Sequence, residues 1–182
     1  MGIAESFKKG LAHSILVGIV MRRDFFIDGV VVGKASVGGL DSTDTIVDMY
    51  NRLSREDIGL ILLNGCIISW FNIIELDRLY NTIKRPVVCI TYEDSPGIMK
   101  YLQEYFPSDF KKREEIYLRN GERKKFMLKT GFEIFYQTRG ISEKKLKYLL
   151  NKITINGAIP EPLRVAKLIA NAFLKVQNKK VV

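Results

Sequence analysis

Histidine and cysteine are scarce in this 182-residue sequence, which has one histidine and two cysteines. A structural zinc site needs about four clustered Cys or His ligands, so the sequence contains no spacing of that kind. A histidine-based catalytic triad is equally unsupported, because His13 lies at the start of an apolar, strand-like stretch. Cys66 and Cys89 lie in apolar segments, and we expect two buried free thiols in a reducing compartment.

Long apolar runs are also missing, since none approaches the roughly 20 residues that a membrane-spanning helix requires. The hydrophobic content of 47% and a mean hydropathy near zero are typical of a globular protein without a membrane partner. Two lysines precede an apolar stretch near the N-terminus and imitate a signal peptide. No small-residue cleavage site follows them, so we expect a cytoplasmic protein.

Acidic residues are outnumbered by basic ones, 20 against 29, which gives a net charge of +9. This charge would attract a polyanion such as nucleic acid. Lysine-rich solvated surfaces are also common in heat-adapted proteins, so charge alone leaves both explanations open. The basic residues cluster at 111–113, 123–125, 144–147 and 179–180.

Apolar periodicity along the chain predicts an α/β protein with a single domain over residues 1–182 and a flexible tail from about 177 to 182. "HSILVGIVM" and "FFIDGVVVGKASV" read as an antiparallel hairpin around "RRD". A helix follows "GGLDSTD", and "IGLILLNG" and "PVVCITYE" are buried strands separated by the helix "NIIELDRLYNTIK". Residues 95–125 are predicted to be helical, and "FEIFYQT" alternates well enough to predict one more strand, a candidate edge strand. In the closing helix, Leu163, Ala166, Ala170 and Phe173 share one face, which we expect to dock on the core.

Acids and amides fall where predicted strands end, and ligands of open α/β sheets gather at that edge. Carboxylates that converge there repel one another unless a cation such as Mg²⁺ lies between them, and such a cation can activate water for phosphodiester cleavage. Each acid alone is equally well explained as a helix cap or a solvated loop residue. "GKASVGGLDST" lacks the order of a nucleoside-triphosphate-binding loop. The residues concerned are Glu5, Asp41, Asp44, Asn64, Glu93 and Asp94.

Three segments together resemble an archaeal family of long-unknown function that is related to endonuclease V. They are "GGLDSTD", "LLNGCIISWFNIIELDRLY" leading into "RPVVCITYE", and "GAIPEPLRVAKLIANA". The resemblance implies a ribonuclease H-like fold, in which an antiparallel meander is followed by parallel strands and helices cover both faces. It also implies a Mg- or Mn-dependent endonuclease of DNA repair that cuts near uracil or hypoxanthine, with DNA favoured over RNA as the partner.

Residue by residue, Asp41 and Asp44 match the family's Gly-Leu-Asp-x-Thr-acid motif, and Asn72 matches its Gly-Phe-Asn position, where Trp70 replaces the usual glycine. The resemblance makes Asp41 and Asp44 the expected catalytic metal ligands, with Glu5 as a weak third. Trp70 could stack on an extruded base. Glu161 and Arg164 would start a helix beside the active-site edge. The expected substrate-binding residues are Trp70, Asn72, Asn64, Glu161 and Arg164.

The first strand departs from the family pattern. Relatives carry a Gly-Ile-Asp-Asp type sequence whose first aspartate is the main metal ligand, whereas this chain has Ala4 and Glu5. Acids in "YEDSP" likewise stand where basic residues are usual. Three hypotheses follow: a Mg-dependent endonuclease impaired by the departure at Ala4, a non-catalytic nucleic-acid-binding protein that retains the fold, and an interaction subunit whose sheet edge pairs with a partner strand.

Overall fold

A computed structural model describes residues 1–179 and contains a seven-stranded mixed sheet flanked by helices, with strand order β3-β2-β1-β4-β7-β9-β8. A separate hairpin pairs β5 with β6. The strands are β1 Gly2–Ser6, β2 His13–Met21, β3 Ile27–Ser36, β4 Ile61–Asn64, β5 Ile67–Ile68, β6 Asn72–Ile73, β7 Val87–Thr91, β8 Lys124–Met127 and β9 Glu133–Arg139. The helices are α1 Ser42–Leu53, α2 Leu76–Ile83, α3 Met99–Tyr105, α4 Phe110–Asn120, α5 Glu143–Ile153 and α6 Glu161–Lys179.

The first three strands form the predicted antiparallel meander. Gly18 at the middle of β2 lies opposite Ile3 of β1 and Val31 of β3. The turn spans residues 22–26, so Phe25 and Phe26 belong to it and not to the strand in which the sequence placed them. β4 pairs in parallel with β1, and β7 in parallel with β4. The predicted ribonuclease H-like mixed sheet is therefore confirmed.

The far end of the sheet differs from the prediction. β9, which the alternation suggested as a possible edge strand, lies inside the sheet between β7 and β8. The edge is β8, whose first two residues, Lys124 and Lys125, belong to the stretch predicted to be helical. α4 stops before Gly121, whose φ of 79° is a left-handed conformation suited to glycine, and the short "KKFM" then pairs with β9.

Helices cover both faces of the sheet. α1 and α2 bury their apolar sides on one face through Ile46, Met49, Leu76 and Leu79, and α5 and α6 cover the other. The buried face of α6 includes Leu163, Ala166 and Ala170, as predicted, but it continues through Leu174, and the adjacent Phe173 is 46% exposed. α6 continues to Lys179, so residues 177–179 of the predicted tail are helical, and residues 180–182 lie outside the described part. No helix within residues 1–179 is long and apolar enough to cross a membrane.

The two cysteines are joined in a disulfide, so the expectation of free thiols was wrong. Cys66 follows the end of β4, and Cys89 lies in the adjacent β7. Gly65, with φ of 90°, turns the chain, and its amide donates to the Ile90 carbonyl, 2.9 Å away. This turn brings the two Cα atoms to 5.9 Å, within the range that a disulfide spans.

The outer rim of β3 is covered by side chains from α1. Arg52 donates to the Val32 carbonyl at 2.7 Å, and Thr45 donates to the Lys34 carbonyl at 3.1 Å. These carbonyls face away from β2 and would otherwise be free to accept hydrogen bonds from the backbone of a further strand.

Candidate functional site

The parallel strands β1, β4 and β7 all end at one edge of the sheet, where the loop after β3 and the β5–β6 hairpin also lie. A backbone bond from Gly38 to the Ser69 carbonyl, 2.7 Å long, ties that loop to that hairpin. The Ser14 and Ser69 hydroxyls are 2.5 Å apart and add a buried link to β2. This carboxyl edge is where the sequence predicted the site.

Asp41 lies at this edge with both carboxylate oxygens hydrogen-bonded. Oδ1 accepts from the Asn72 amide at 2.7 Å, Oδ2 accepts from the Ser36 hydroxyl at 2.8 Å, and the Ser36 backbone amide lies 3.1 Å from both oxygens. Partial burial acts to raise the pKa of this carboxyl, but these donors outweigh it and hold the pKa of Asp41 below the ordinary 3.8. Asp41 is thus a charged acceptor engaged by its own chain.

Asn72 is fully buried and acts as a crosslink. Its amide nitrogen also donates to the Ser36 carbonyl at 2.9 Å, and its oxygen accepts from the Ser42 backbone amide at 3.2 Å. The structure therefore brings two predicted site residues, Asp41 and Asn72, into contact. The polar atoms of Asn72 bind protein partners, which favours a positioning role over direct contact with substrate.

Asp44 lies in the first turn of α1 and faces solvent. It forms an ion pair with Arg78 of α2, and the two side chains are 60% and 47% exposed. An exposed pair of this kind contributes little stability, about 0–1 kcal/mol. The pair places the positive charge of Arg78 against the Asp44 carboxylate, at the position where a metal ion would bind.

Glu5, near the end of β1, is the least satisfied acid at this edge. Its Oε2 atom is buried without a hydrogen-bond partner. Burial raises the pKa of Glu5, and the opposing influences of Lys167 and the Ser69 backbone amide do not cancel that effect. The Lys167 ammonium donates to the Glu5 backbone carbonyl at 2.6 Å. Asn64, at the end of β4, lines the same small cavity as Glu5.

The three predicted metal ligands do not fit a shared divalent cation in this arrangement. Asp41 is engaged by Ser36 and Asn72, Asp44 by Arg78, and Glu5 has a raised pKa beside Lys167. Within the described chain, no group of three or more His, Cys, Asp or Glu side chains is placed to hold a metal ion. Positive charge near Asp44 and Glu5 comes from Arg78 and Lys167.

Ala4 occupies the position where the resemblance expects the main ligand. It is 2% exposed and packs against Ala166 and Ala170 of α6. Its side chain therefore points to the opposite face of the sheet from Ile3, which packs under α1. An aspartate here would face α6 and not the Asp41 network.

Glu161 and Arg164 bind each other at the first turn of α6, through contacts of 2.6–3.0 Å. The neighbouring Pro162 packs on Gly2, where an added Cβ would lie 2.6 Å from the proline Cβ. Because Gly2 begins β1, these residues lie about 10 Å along the strand from Glu5. The expectation that they stand beside the carboxyl edge is wrong, because the first turn of α6 lies at Gly2, at the opposite end of β1 from Glu5, which Lys167 contacts.

Trp70 lies at the tip of the β5–β6 hairpin. Ser69, Trp70 and Phe71 have φ values of 46°, 56° and 61°, which is unusual for three successive non-glycine residues. Strained backbone of this kind clusters at ligand-binding segments. The Lys9 ammonium lies 4.0 Å from the centre of the Trp70 ring. Trp70 is half-buried in this strained turn, and its indole Nε1 is buried without a hydrogen-bond partner.

Comparison with known proteins identifies the family. The family model described as Endonuclease dU matches residues 1–174. The chain belongs to the Endonuclease dU family. A relative from Pyrobaculum aerophilum, described as a UPF0215 protein, is 34% identical over 98% of this chain and 97% of its own length. A UPF0215 protein from Thermococcus kodakarensis is 30% identical over 96% of this chain and 90% of its own length.

Solved structures give the same grouping. A protein of unknown function from Archaeoglobus fulgidus has a TM-score of 0.81 at 28% identity, covering 94% of this chain and 95% of its own. Endonuclease V from Streptomyces avermitilis has a TM-score of 0.65 at 14% identity, covering 97% and 81%. At 14% identity, this similarity shows that the two proteins share a fold. The predicted relationship of this Endonuclease dU family member to endonuclease V is confirmed at that level.

Arg113 is the residue that the sequence analysis missed in this family member. It was assigned to a basic surface cluster, yet it is 3% exposed and lies behind the carboxyl edge. It pairs with Asp109 at 2.9 Å and stacks 3.8 Å from the Phe106 ring centre. Its guanidinium donates to three backbone carbonyls of the edge loops, those of Gly38, Gly39 and Phe71.

Replacing Asp41 by asparagine is expected to lower the free energy of unfolding at pH 7 by about 1.5–3 kcal/mol, because charge-assisted bonds are lost and an amide donor meets the Ser36 and Asn72 donors. Urea unfolding measures the change. Since the folded pKa is depressed, the contribution of Asp41 is present above the ordinary pKa of 3.8 and is lost as the pH falls through the folded value. The difference between wild type and variant should shrink below that pH.

Asp44→Asn is the matched control, since it changes an exposed acid three residues away and should cost no more than about 1 kcal/mol. If both variants lowered the free energy of unfolding equally, the hydrogen bonds of Asp41 to Ser36 and Asn72 would not have the stabilising role assigned to them.

Proposed function

We propose that this protein binds nucleic acid at the carboxyl edge of its sheet and recognises DNA near a deaminated base, with little or no metal-dependent cleavage. The observation that carries the proposal is that the three candidate ligands do not share a cation site: Asp41 is hydrogen-bonded by Ser36 and Asn72, and Asp44 is paired with Arg78. The third, Glu5, is buried with Oε2 unpartnered, and burial raises the pKa of its carboxyl. Carboxylates held in this way are poor ligands for Mg²⁺, whereas a basic protein surface still attracts phosphates.

Family and fold support a nucleic-acid partner. The chain belongs to the Endonuclease dU family, and endonuclease V from Ciona intestinalis, with a TM-score of 0.59 at 12% identity, has been crystallised with a DNA strand containing inosine followed by a ribo-adenosine. The net charge of +9 gives this chain the electrostatic attraction that such a ligand requires. We expect DNA over RNA, and hypoxanthine or uracil as the recognised bases.

Fluorescence anisotropy with labelled oligonucleotides tests the proposal. DNA with one uracil or hypoxanthine is compared with the unmodified sequence, in EDTA and in Mg²⁺. We expect binding in EDTA within about twofold of that in Mg²⁺, and a log–log salt slope of roughly 0.9 for each duplex phosphate neutralised. Absence of binding at low salt, or binding that depends on Mg²⁺, would reject the proposal.

A Mg- or Mn-dependent endonuclease of DNA repair is the second candidate, favoured by the family match over residues 1–174 and by the unpartnered Oε2 of Glu5 at a strand end. It requires bound nucleic acid to break the Asp44–Arg78 pair and the Asp41 network. Incubation with Mg²⁺ and uracil- or hypoxanthine-containing oligonucleotides decides between the two. Nicking above the level of an Asp41→Asn control would favour the nuclease, and none would exclude it.

A further inference from the structure

A cluster of aromatic rings lies beside the carboxyl edge, formed by the β5–β6 turn and helix α3. Tyr101 and Tyr105 of α3 are each 47% exposed, and their rings are nearly parallel, with an interplanar angle of 7° and centroids 6.4 Å apart. Phe71 packs on both at 6.2 and 6.0 Å, and Trp70 meets Tyr105 edge-on at 5.8 Å. Tyr101, Tyr105, Phe71 and Trp70 are called the aromatic shelf below.

The half-exposed rings of Tyr101 and Tyr105 are not explained by core packing, whereas Phe71 packs partly on the core below them. The core beneath them is Leu102 of α3, which is fully buried and packs with Ile73 and Ile116. The two tyrosines are spaced i and i+4 on the helix surface and face outward together, with their phenol rings aligned. Tyrosine presents a large, rigid apolar face with a polar tip, which suits contact with a flat, partly hydrated ligand.

Unpaired positive charge accompanies the shelf. The exposed Lys9 lies over the Trp70 ring. Two further exposed lysines are neighbours in sequence, Lys8 next to Lys9 and Lys100 next to Tyr101. The lysine ion pairs found within residues 1–179 involve Lys124, Lys125 and Lys147 instead. Stacking surfaces lined with free cations are the arrangement by which proteins hold unpaired nucleic acid, since every base has a π-face and every nucleotide a phosphate.

The backbone ties the shelf to the candidate site. Arg113 holds the Phe71 carbonyl and the Gly38 and Gly39 carbonyls together, and Gly39 lies two residues before Asp41. Phe106, at the end of α3, stacks on the same guanidinium. One side chain, Arg113, therefore holds the loop that leads to Asp41 and the turn that carries Phe71 against each other.

We propose that the aromatic shelf binds a single-stranded segment of nucleic acid by stacking its bases on Tyr101 and Tyr105. The proposal rests on the proposed function, because it assigns the part of a nucleic-acid ligand that this surface takes. Stacking is tolerant of base identity, so the shelf supplies affinity for unpaired strands, and the recognition of a particular base resides elsewhere.

The protein contains one tryptophan, so its emission reports on this surface alone. Single-stranded oligothymidylate of about 16 nucleotides, a length suited to such surfaces, is titrated while Trp70 emission and the anisotropy of a label on the oligonucleotide are both followed. We expect the emission to change with the same dissociation constant as the anisotropy. A duplex of the same length should change the emission much less.

Tyr101→Ala/Tyr105→Ala is expected to weaken single-strand binding by at least about tenfold and duplex binding by no more than about twofold. Tyr101→Phe/Tyr105→Phe keeps both rings and should retain single-strand affinity. Tyr148→Ala is the matched control, because Tyr148 is 63% exposed and accompanied by Lys152 at 5.4 Å, but belongs to α5. Circular dichroism and thermal unfolding confirm that the variants fold.

The outcomes separate the two proposals. Binding by anisotropy that leaves Trp70 emission unchanged and is unaffected by the double alanine variant overturns the shelf and leaves the proposed function standing. Absence of binding to any oligonucleotide overturns both. A change of Trp70 emission with anionic lipid vesicles and none with oligonucleotide would assign the shelf to a membrane surface and reject the proposal.

Discussion

Replacing Arg113 by methionine is expected to lower the free energy of unfolding by about 3–5 kcal/mol, because three backbone carbonyls lose a charged donor and a partly buried ion pair is broken. Asp109 would lose a partner at 2.9 Å, and the carbonyls that Arg113 bridges would lose their donors. Methionine has a similar length and fills most of the space, so the loss comes from charge and hydrogen bonding and not from a cavity. Urea unfolding at pH 7 gives the value.

Arg22→Met is the control for this experiment. Arg22 also pairs with an aspartate, Asp24 at 2.9 Å, and lies 5.7 Å from a phenylalanine ring centre, but its side chain is 60% exposed. We expect a loss of no more than about 1 kcal/mol. If Arg113→Met cost as little as Arg22→Met, the proposed role of Arg113 in holding the edge loops would be wrong.

Removal of the disulfide is expected to lower the free energy of unfolding by about 3 kcal/mol. The bond closes a loop between residues 66 and 89, 23 positions apart, and so restricts the unfolded chain. For a protein of this size that loss corresponds to a fall in the unfolding midpoint of roughly 6–12 °C. The measurement compares oxidised protein with protein that has been denatured, reduced and refolded in reductant.

The double variant Cys66→Ala/Cys89→Ala provides the control. Its midpoint should be the same with and without reductant and should lie near that of reduced wild type. Thiol titration under denaturing conditions counts the free cysteines at each stage. Two free thiols in untreated protein, with no response of the midpoint to reduction, would contradict a stabilising crosslink.

Local patterns predict most of the scaffold because each element carries its own signal. Gly38 and Gly39 interrupt a strand, and the spacing of apolar residues after Ser42 has the helical period that α1 shows. β4 and β7 are continuous apolar runs because both faces of each are covered by helices. β8 had no such signal, since "KKFM" is short and charged and gains its strand conformation only by pairing with β9.

The structure joins only some of the residues that were predicted to form the candidate site. Asp41 and Asn72 were both selected from the resemblance, and the structure joins them by a hydrogen bond across 31 residues of sequence. Whether a carboxylate is free to bind a ligand depends on donors such as Ser36, and no sequence pattern reports that. The side on which Ala4 lies is likewise set by the register of β1 against its neighbours.

Arg113 illustrates a different limit. Lys111, Lys112 and Arg113 form a basic run, and such runs are usually solvated, yet the third member is buried. A helical signal was present, because Arg113, Ile116 and Asn120 are spaced i, i+3 and i+7 and all three are buried on one side of α4. A charged residue on the buried side of a helix indicates that its side chain bonds buried partners, and the composition of a basic run does not reveal this.

The protection of the sheet's two rims has a consequence for behaviour in concentrated solution. Along β3, side chains of α1 already occupy outward carbonyls of Val32 and Lys34, and at the opposite rim β8 is four residues long and carries Lys124 and Lys125. Neither rim offers a long, bare template for cross-β growth, so the folded chain should resist fibril formation on heating or crowding. Self-association would then use other exposed surfaces, such as the β2–β3 turn at Phe26 and the outer faces of the helices.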